Sequence, residues 1–249
     1  MLELTPPGVS APVEALRPLR FGLIAALAGR ALGLSYRLRG KHRYDDFRLE
    51  RVHGVPLLVT PSTFNPKVPR TGAFLAGHLA TTHACRDAEV LDMGTGSGVC
   101  AIFAAREARR VVAVDINPAA VRCARINALV NHLEEHIDLR QGDLFAPVPG
   151  ERFDLVLFNP PFLRGAANDD RDRAWRSPDV AERFAAGLRG HLRPGGAALV
   201  VLSTFGDAGM FLAAFRAHGF TSSMLTERRF INERLAVFKV VPLGAERAA

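Results

Sequence analysis

Apolar and polar positions along the chain form two patterns, short runs of strand length and longer segments with helical spacing. The short runs predict strands at 88–94, 110–115, 136–143, 153–159 and 197–203, with two more near 221–230 and 234–243. The helical segments between them are 99–108, 118–130, 179–192 and 207–219, the third of them ending at RPGG (193–196). Strands that alternate with helices indicate a mostly parallel sheet covered on both faces, and the short link INE makes the last two strands antiparallel. The pattern therefore predicts an α/β fold with a mixed, seven-stranded, Rossmann-like sheet.

The N-terminal part of the chain has a different pattern. A Pro-rich tail and an apolar helical segment extend to about Leu34, and RVHGVPLLVT (51–60) is predicted as one strand. After a loop punctuated by prolines, a helix is predicted to begin near Thr71, which suits the N-cap position. We therefore predict two parts, an N-terminal extension over 1–60 and a single α/β domain over 61–249.

One apolar segment, Phe21–Ser35, follows two arginines as an export signal would. Arg30 interrupts it, and the apolar run is far shorter than the roughly 18 residues that a membrane span needs. We therefore expect a helix packed on the main domain and no membrane association.

The cysteines and the net charge restrict the setting of the protein. Cys85, Cys100 and Cys123 are too few and too irregularly spaced for a disulfide framework or a zinc site, which favours the cytoplasm. The formal net charge is +7, and nearly all of its cations are arginines. A basic chain suits an anionic partner such as RNA, but an arginine-rich proteome gives the same balance, so charge alone leaves the partner open.

A glycine-rich loop stands where the first predicted strand of the α/β domain turns into a helix. In LDMGTGSG (Leu91–Gly98), Gly94, Gly96 and Gly98 allow positive φ and a close approach of the backbone to a ligand. The spacing G-x-G-x-G differs from the dinucleotide fingerprint G-x-G-x-x-G, and no G-K-S/T follows, which disfavours a triphosphate cradle. A plain tight turn remains the alternative for the glycines taken alone.

Three acidic residues stand at or near the carboxyl ends of three successive predicted strands. Asp92 stands two positions before Gly94, Asp115 ends the second strand, and Asp143 follows the third. A carboxylate at the position of Asp115 is suited to accept hydrogen bonds from two ribose hydroxyls, a role that also occurs in enzymes that use NAD. Together with the glycines, the acids predict a nucleoside site at the carboxyl edge of the sheet.

The fourth strand ends at NPPF (Asn159–Phe162), which is expected beside the glycine loop. Asn159 offers a side-chain carbonyl, and Pro160 offers a backbone carbonyl without a competing N–H. Two such acceptors, held in a turn stiffened by Pro161, suit a planar –NH2 group whose lone pair must be drawn out of conjugation. Phe162 is suited to stack on a flat target group. We therefore predict Asn159, Pro160 and Phe162 as the catalytic residues.

These motifs resemble those of a known family. D-x-G-x-G-x-G resembles motif I of class I methyltransferases that use S-adenosylmethionine, and NPPF resembles the Asn/Asp-Pro-Pro-Tyr/Phe signature of the amino methyltransferases. Within them, the small-domain group that contains HemK-type enzymes is the most similar, since DINPAAVRCARINALVN, VPRTGAFLA and RAWRSP resemble its segments over about Val55 to Ser203. Phe162 stands where that subgroup usually has tyrosine, and the N-terminal extension differs from the helical recognition domain of a bacterial release-factor methylase.

The resemblance implies a cofactor, S-adenosylmethionine, and roles for the residues around it. Asp92 would lie near the methionine portion, Asp115 at the ribose and Asp143 at the adenine amino group. The full predicted cofactor set is Asp92, Gly94, Thr95, Gly96, Gly98, Asp115, Ile116, Asp143, Leu144 and Asn159.

The predicted activity is methyl transfer to a planar amide or exocyclic amine nitrogen. The substrate stays open between a glutamine of a protein, a base in RNA or DNA, and a small-molecule amine, with a macromolecule favoured by the charge. An NAD-dependent oxidoreductase and a non-catalytic RNA-binding module are the alternatives from other classes. The charged segment RGAANDDRDRAWR (164–176) is either a solvated loop or a lid over the substrate. The sequence does not indicate an oligomeric state.

Overall fold

A computed structural model describes residues 47–61, 63, 70–161, 179–204, 206–231 and 233–244. Its strands are β1 (Arg48–Val52), β2 (Val55–Val59), β3 (Glu89–Met93), β4 (Arg110–Asp115), β5 (Ile137–Gln141), β6 (Phe153–Phe158), β7 (Leu192–Ser203), β8 (Phe220–Arg229) and β9 (Arg234–Pro242). Its α-helices are α1 (Thr71–Thr82), α2 (Val99–Ala105), α3 (Pro118–Val130), α4 (Val180–Leu188) and α5 (Ala208–Ala217).

The large sheet has seven strands in the order β5-β4-β3-β6-β7-β9-β8. Strands β3 to β7 run parallel to one another, whereas β9 is antiparallel to both β7 and β8. The predicted fold class is confirmed. From β3, the strands β4 and β5 follow on one side, and β6, β7, β9 and β8 lie on the other side. The direction of the strand order therefore reverses between β3 and β6.

Each face of the sheet carries its own apolar core. Along β4, Val111 and Ala113 belong to the core beneath α1 and α2, whereas Val112 and Val114 belong to the core beneath α4 and α5. This alternation is what a strand buried on both faces requires, because successive side chains point to opposite sides.

The segment 51–60 is a hairpin, and the prediction of one strand there was wrong. Strands β1 and β2 pair antiparallel with Val52 opposite Val55, so two residues form the turn. His53 and Gly54 have φ values of 45° and 85°. Two positive φ angles in a two-residue loop match the right-handed twist of a hairpin. In the sequence, only Gly54 indicated a turn at this place.

The boundaries of α1 and α2 differ slightly from the expected ones. Thr71 is the first residue of α1, and Arg70, with φ of 60°, occupies the N-cap position without a side-chain cap. Helix α2 ends at Ala105 rather than at 108, because the next turn bends so that the Glu107 carbonyl accepts from the Asp87 N–H at 2.9 Å. Asn117 caps α3 as predicted, accepting from the Ala119 N–H at 2.8 Å.

The expectation that RPGG ends a helix was also wrong. Helix α4 ends at Leu188, a 3-10 turn follows over Arg189–His191, and RPGG lies inside β7. The pairing of β6 with β7 is irregular between Phe153 and Leu155, which accommodates a proline that has no N–H to donate.

Some predicted features lie outside the described residues, namely the helical segment up to Leu34, Phe162 and the charged segment 164–176. The division at residue 60 stays a prediction. Within the described ranges, none of the helices has the length and apolar character to cross a membrane.

Candidate active site

The predicted site residues surround the crevice at which the strand order reverses. Met93 at the end of β3 is paired with Phe158 at the end of β6 and with Val114 in β4. Gly94 and Asn159 are the residues that follow this pair, so the glycine loop and the NPP turn begin side by side at the carboxyl edge of the sheet. Open α/β sheets bind their ligands in such a crevice.

The glycine loop is folded back tightly on the sheet. The N–H groups of Gly94 and Thr95 both donate to the Val114 carbonyl, at 2.8 and 3.0 Å. Gly94, Gly96 and Gly98 have φ values of 67°, 57° and 83°, so all three adopt a left-handed backbone. A Cβ on Gly98 would lie 3.1 Å from the Cα of Ala124 on α3. Glycine is therefore required there by both conformation and space.

Asp92 is a buried acid whose hydrogen bonds hold the glycine loop and the start of α2. Its Oδ2 accepts from the Thr95 hydroxyl at 2.7 Å and from the Ala101 N–H in α2 at 3.0 Å. Burial, aided by the nearby charge of Asp115, raises the pKa of Asp92 to about 7, although these two hydrogen bonds lower it. This carboxyl group is poised to change its charge near neutral pH.

Asp115 connects the end of β4 to the loop and to α3. Its Oδ2 accepts from the Gly96 N–H at 2.8 Å, and its Oδ1 accepts from the Asn117 N–H at 2.9 Å. Burial raises the pKa of Asp115, although both hydrogen bonds favour the ionised form. The next residue, Ile116, exposes 40% of its surface, so an apolar side chain lies beside the carboxylate.

Asp143 lies one strand further along the same edge. The Gly142 N–H donates to the Asp115 carbonyl at 3.0 Å, which keeps the end of β5 against the end of β4. The Asp143 carboxylate forms an ion pair with Arg183 of α4, and this pair raises the pKa of Arg183. Leu144 has φ of 46° and packs partly buried against the core.

Asn159 brings an acceptor to the other side of the crevice. Its Oδ1 is buried and has no hydrogen-bond partner among the described residues. Buried polar atoms are nearly always hydrogen-bonded in proteins, so this oxygen is suited to a donor that a ligand supplies. Pro160 is buried beside it, and the preceding Phe158 ring is stacked on Phe184 at 4.2 Å between centroids.

The structure thus brings Asp92, Asp115, Asp143 and Asn159 to one edge of the sheet, together with the glycine loop. Carboxylates and a free carbonyl oxygen fit a ligand that brings hydroxyl and amine donors, as a nucleoside does, better than one that brings phosphates. The position of Phe162 relative to this edge lies outside the described residues.

Two residues at the site were not singled out by the motifs. Arg183 comes from a different part of the chain and gives no signal in DVAERF. Asn127 is fully buried on α3, and its Nδ2 donates to the Ser97 carbonyl in the glycine loop at 2.8 Å. A polar residue in the apolar stripe of a helix was the available signal for Asn127, because such residues are retained inside proteins only with partners.

Comparison with known proteins shows the family to which most of the chain belongs. Residues 60–221, more than half of the chain, match the family described as Methyltransferase small domain. A release factor glutamine methyltransferase of Koribacter versatilis is 33% identical over 184 residues, covering 62% of this chain and 65% of the relative. The ribosomal RNA small subunit methyltransferase C of Alcanivorax borkumensis is 37% identical over 108 residues, covering 43% of this chain and 30% of the relative. The chain thus spans less than two thirds of the length of either relative.

Among solved structures, the 16S rRNA N2 G1207 methyltransferase of T. thermophilus, in complex with AdoMet and guanosine, has a TM-score of 0.58. It is 24% identical and covers 77% of this chain and 49% of its own, a similarity that shows the fold. The glycine loop, the three aspartates at the strand ends and the NPP turn all lie within residues 60–221, which match the family model. The chain therefore belongs to the methyltransferase small domain family.

Proposed function

We propose that this chain is an S-adenosylmethionine-dependent methyltransferase that methylates the side-chain amide nitrogen of a glutamine in a protein. The observation that carries the proposal is the buried Oδ1 of Asn159, which has no partner among the described residues. Asn159 follows β6, the strand paired with β3, which leads into the glycine loop. An acceptor of this kind suits a planar –NH2 group.

The residues of the crevice fit the proposed cofactor. When bound, S-adenosylmethionine supplies a methyl group on a positively charged sulfur. Each oxygen of Asp115 already accepts one backbone N–H, and a carboxylate has about four acceptor positions, so capacity remains for the ribose hydroxyls. Asp143 would accept from the adenine amino group while its other contact is to Arg183.

The remaining predicted cofactor residues shape the walls of this site. Ile116 and Leu144 would flank the adenine ring with apolar surface. Gly94, Gly96 and Gly98 would let the backbone approach the cofactor, and Asp92 and Thr95, joined at 2.7 Å, would hold the loop near the methionine portion. Asn159 would border both the cofactor and the target, since it follows β6, which is paired with β3.

The NPP turn would bind the target nitrogen. The Asn159 Oδ1 and the Pro160 carbonyl would each accept one N–H of the target, which draws the nitrogen towards pyramidal geometry and makes its lone pair available. Pro161 would limit movement of the turn, and Phe162 would stack on the flat group. A general base is not required, because the methylated nitrogen becomes acidic and loses its proton to water.

A glutamine in a protein is favoured among the possible targets by the similarity to the release factor glutamine methyltransferase. An amino group of a base in RNA is the second candidate, supported by the similarity to the ribosomal RNA methyltransferase and by the net charge of +7. Both targets are planar –NH2 groups on macromolecules, an amide in glutamine and an exocyclic amine in the base. A cytoplasmic location accords with the buried, free thiols of Cys85, Cys100 and Cys123.

The proposal is tested by incubating the purified chain with S-adenosylmethionine labelled in the methyl group and an extract of a strain lacking the gene. Mass spectrometry of the protein, RNA and small-molecule fractions then locates the label. We expect label on a protein glutamine with the wild type and, at an early time point, far less label with Asn159→Ala. Label on RNA would favour the second candidate, label on a small amine would contradict a macromolecular substrate, and equal labelling by both proteins would remove the role of Asn159.

A further inference from the structure

The side chain of Asn127 connects two backbone segments that are distant in sequence. Its Oδ1 accepts from the Leu58 N–H at 2.6 Å, and its Nδ2 donates to the Leu58 carbonyl at 2.7 Å and to the Ser97 carbonyl at 2.8 Å. The residue is fully buried on α3. Because a buried amide is costly unless it is fully bonded, these three hydrogen bonds form one unit.

One end of this unit is the cofactor loop. Ser97 lies between Gly96, whose N–H is held by Asp115 at 2.8 Å, and Gly98, which packs against α3. The other end is the β1–β2 hairpin, in which Asn127 bonds both polar groups of Leu58 as a neighbouring strand would. The hairpin lies within residues 1–60, which were predicted as the N-terminal extension.

We propose that Asn127 is a positioning residue that couples the cofactor loop to the β1–β2 hairpin. This inference rests on the proposed cofactor site and adds a consequence to it. The two hydrogens on Nδ2 lie in one rigid plane, so a shift of the Ser97 carbonyl requires the amide, and with it Leu58, to move or to lose a bond. Order imposed on the loop by a bound cofactor is therefore transmitted to β2.

The coupling is reciprocal, because two linked equilibria affect each other by the same factor. Loss of the bonds between Asn127 and the hairpin weakens cofactor binding, just as a bound cofactor stabilises the hairpin through the same bonds. The β1–β2 hairpin is thereby given a physical connection to the state of the cofactor site.

A neighbouring residue provides a matched control. Asn131, the C-cap residue of α3, donates to the Pro56 carbonyl of the same hairpin at 3.0 Å and to the Asn127 carbonyl at 2.8 Å. None of the hydrogen bonds described for the Asn131 side chain reaches the glycine loop. Asn131→Ala therefore weakens the hairpin without removing the link.

The test is hydrogen exchange at the Leu58 amide, measured with and without S-adenosylhomocysteine, together with calorimetric affinity for that ligand. In the wild type we expect the ligand to slow exchange at Leu58. In Asn127→Asp, which keeps the acceptor for Leu58 N–H but loses both donations, we expect affinity to fall about tenfold and the ligand to leave exchange at Leu58 unchanged. In Asn131→Ala, exchange should be faster throughout, with affinity within about twofold and the slowing retained.

The outcomes separate the two proposals. If S-adenosylhomocysteine binds the wild type but exchange at Leu58 does not change, the coupling is overturned, even if Asn127→Asp fails to fold. The coupling is also overturned if Asn131→Ala loses as much affinity as Asn127→Asp. Absence of binding to the wild type would overturn the proposed cofactor site, and the coupling with it.

Discussion

The backbone N–H of Gly96 donates to the Oδ2 of Asp115 at 2.8 Å, which joins the glycine loop after β3 to the end of β4. The other oxygen of the same carboxylate accepts from Asn117, the N-cap of α3. One acid therefore sets the position of the loop and the start of the helix that carries Asn127. The same oxygens are proposed to accept from the ribose hydroxyls, so the proposal makes folding and ligand binding depend on one group.

Substitution of Asp115 is expected to weaken cofactor binding directly, because the carboxylate is proposed to bind the ribose as well as to hold the loop. In Asp115→Asn, one oxygen becomes an NH2 group, which cannot accept from Gly96 or Asn117 and cannot accept from a ribose hydroxyl. We expect at least a tenfold loss of S-adenosylhomocysteine affinity, about 1.4 kcal/mol or more, by calorimetry. Unchanged affinity would show that the ribose does not bind at this carboxylate.

Gly98→Ala is expected to destabilise the protein more than Gly150→Ala. Both residues have positive φ, 83° and 74°, so each substitution costs about 1–2 kcal/mol in backbone strain. Only at Gly98 would the new Cβ also press on Ala124, at 3.1 Å, whereas Gly150 has nothing within 4 Å. Urea unfolding should show a further loss of about 1 kcal/mol or more for Gly98→Ala. Equal losses would mean that α3 yields to the methyl group.

Asp92 makes the stability of the ligand-free protein depend on pH. Burial raises its pKa from 3.8 to about 7, so between these values the folded state holds a proton that the unfolded state releases. This contribution to stability is complete below pH 4 and is lost as the pH rises to about 7. Since one pKa unit corresponds to about 1.4 kcal/mol, the loss is of the order of 4 kcal/mol.

Asp92→Asn removes this titration. The free energy of unfolding of Asp92→Asn minus that of the wild type should therefore increase from pH 4.5 to pH 7.5 in urea titrations. Asp138→Asn is the control, because Arg140 lowers the pKa of that carboxyl group and its contribution is lost in the opposite direction, as the pH falls. A difference that does not vary with pH would contradict a raised pKa for Asp92.

Asn159→Ala is expected to separate binding from catalysis. Removal of the Oδ1 acceptor leaves the glycine loop and its acids in place, so the affinity for S-adenosylhomocysteine should stay within a few-fold. The rate of methyl transfer should fall by orders of magnitude, about 10²-fold or more, as for the loss of one preorganised polar group in an active site. Asn159→Asp keeps two acceptor oxygens and should retain part of the activity, and full activity in Asn159→Ala would rule out the proposed chemistry.

The ion pair between Asp143 and Arg183 is expected to matter for binding and little for stability. Both side chains are 44% exposed, and exposed ion pairs stabilise proteins by less than about 1 kcal/mol. We expect Asp143→Ala to weaken S-adenosylhomocysteine binding about tenfold or less, with a change in unfolding free energy below about 1 kcal/mol. Arg183→Ala should show the same small change in stability, and a larger effect on folding than on binding in Asp143→Ala would contradict a contact to adenine.

The sequence predicted regular elements best where the local signal was complete. The bounds 118–130 of α3 were predicted as the structure has them, because Asn117 and Pro118 mark its start. The β1–β2 hairpin was missed because its turn residues, His53 and Gly54, are not the Asn-Gly or Asp-Gly pair that usually marks a two-residue hairpin turn. RPGG was mistaken for a helix stop because an irregular pairing, which depends on β6, accommodates the proline in β7.

The sequence by itself determined that the acids, the glycines and Asn159 share one edge of the sheet, because parallel strands end at one edge and each residue lies near the carboxyl end of its strand or in the loop after it. The tertiary structure alone decided how they are held. Asp143 is paired with Arg183 across 40 residues, and Asn127 bonds Leu58 across 69 residues and Ser97 across 30 residues. Such contacts arise from the packing of helices on opposite faces of the sheet. The spacing of residues along the sequence does not predict these contacts, because the partners of a side chain depend on which elements lie beside it in space.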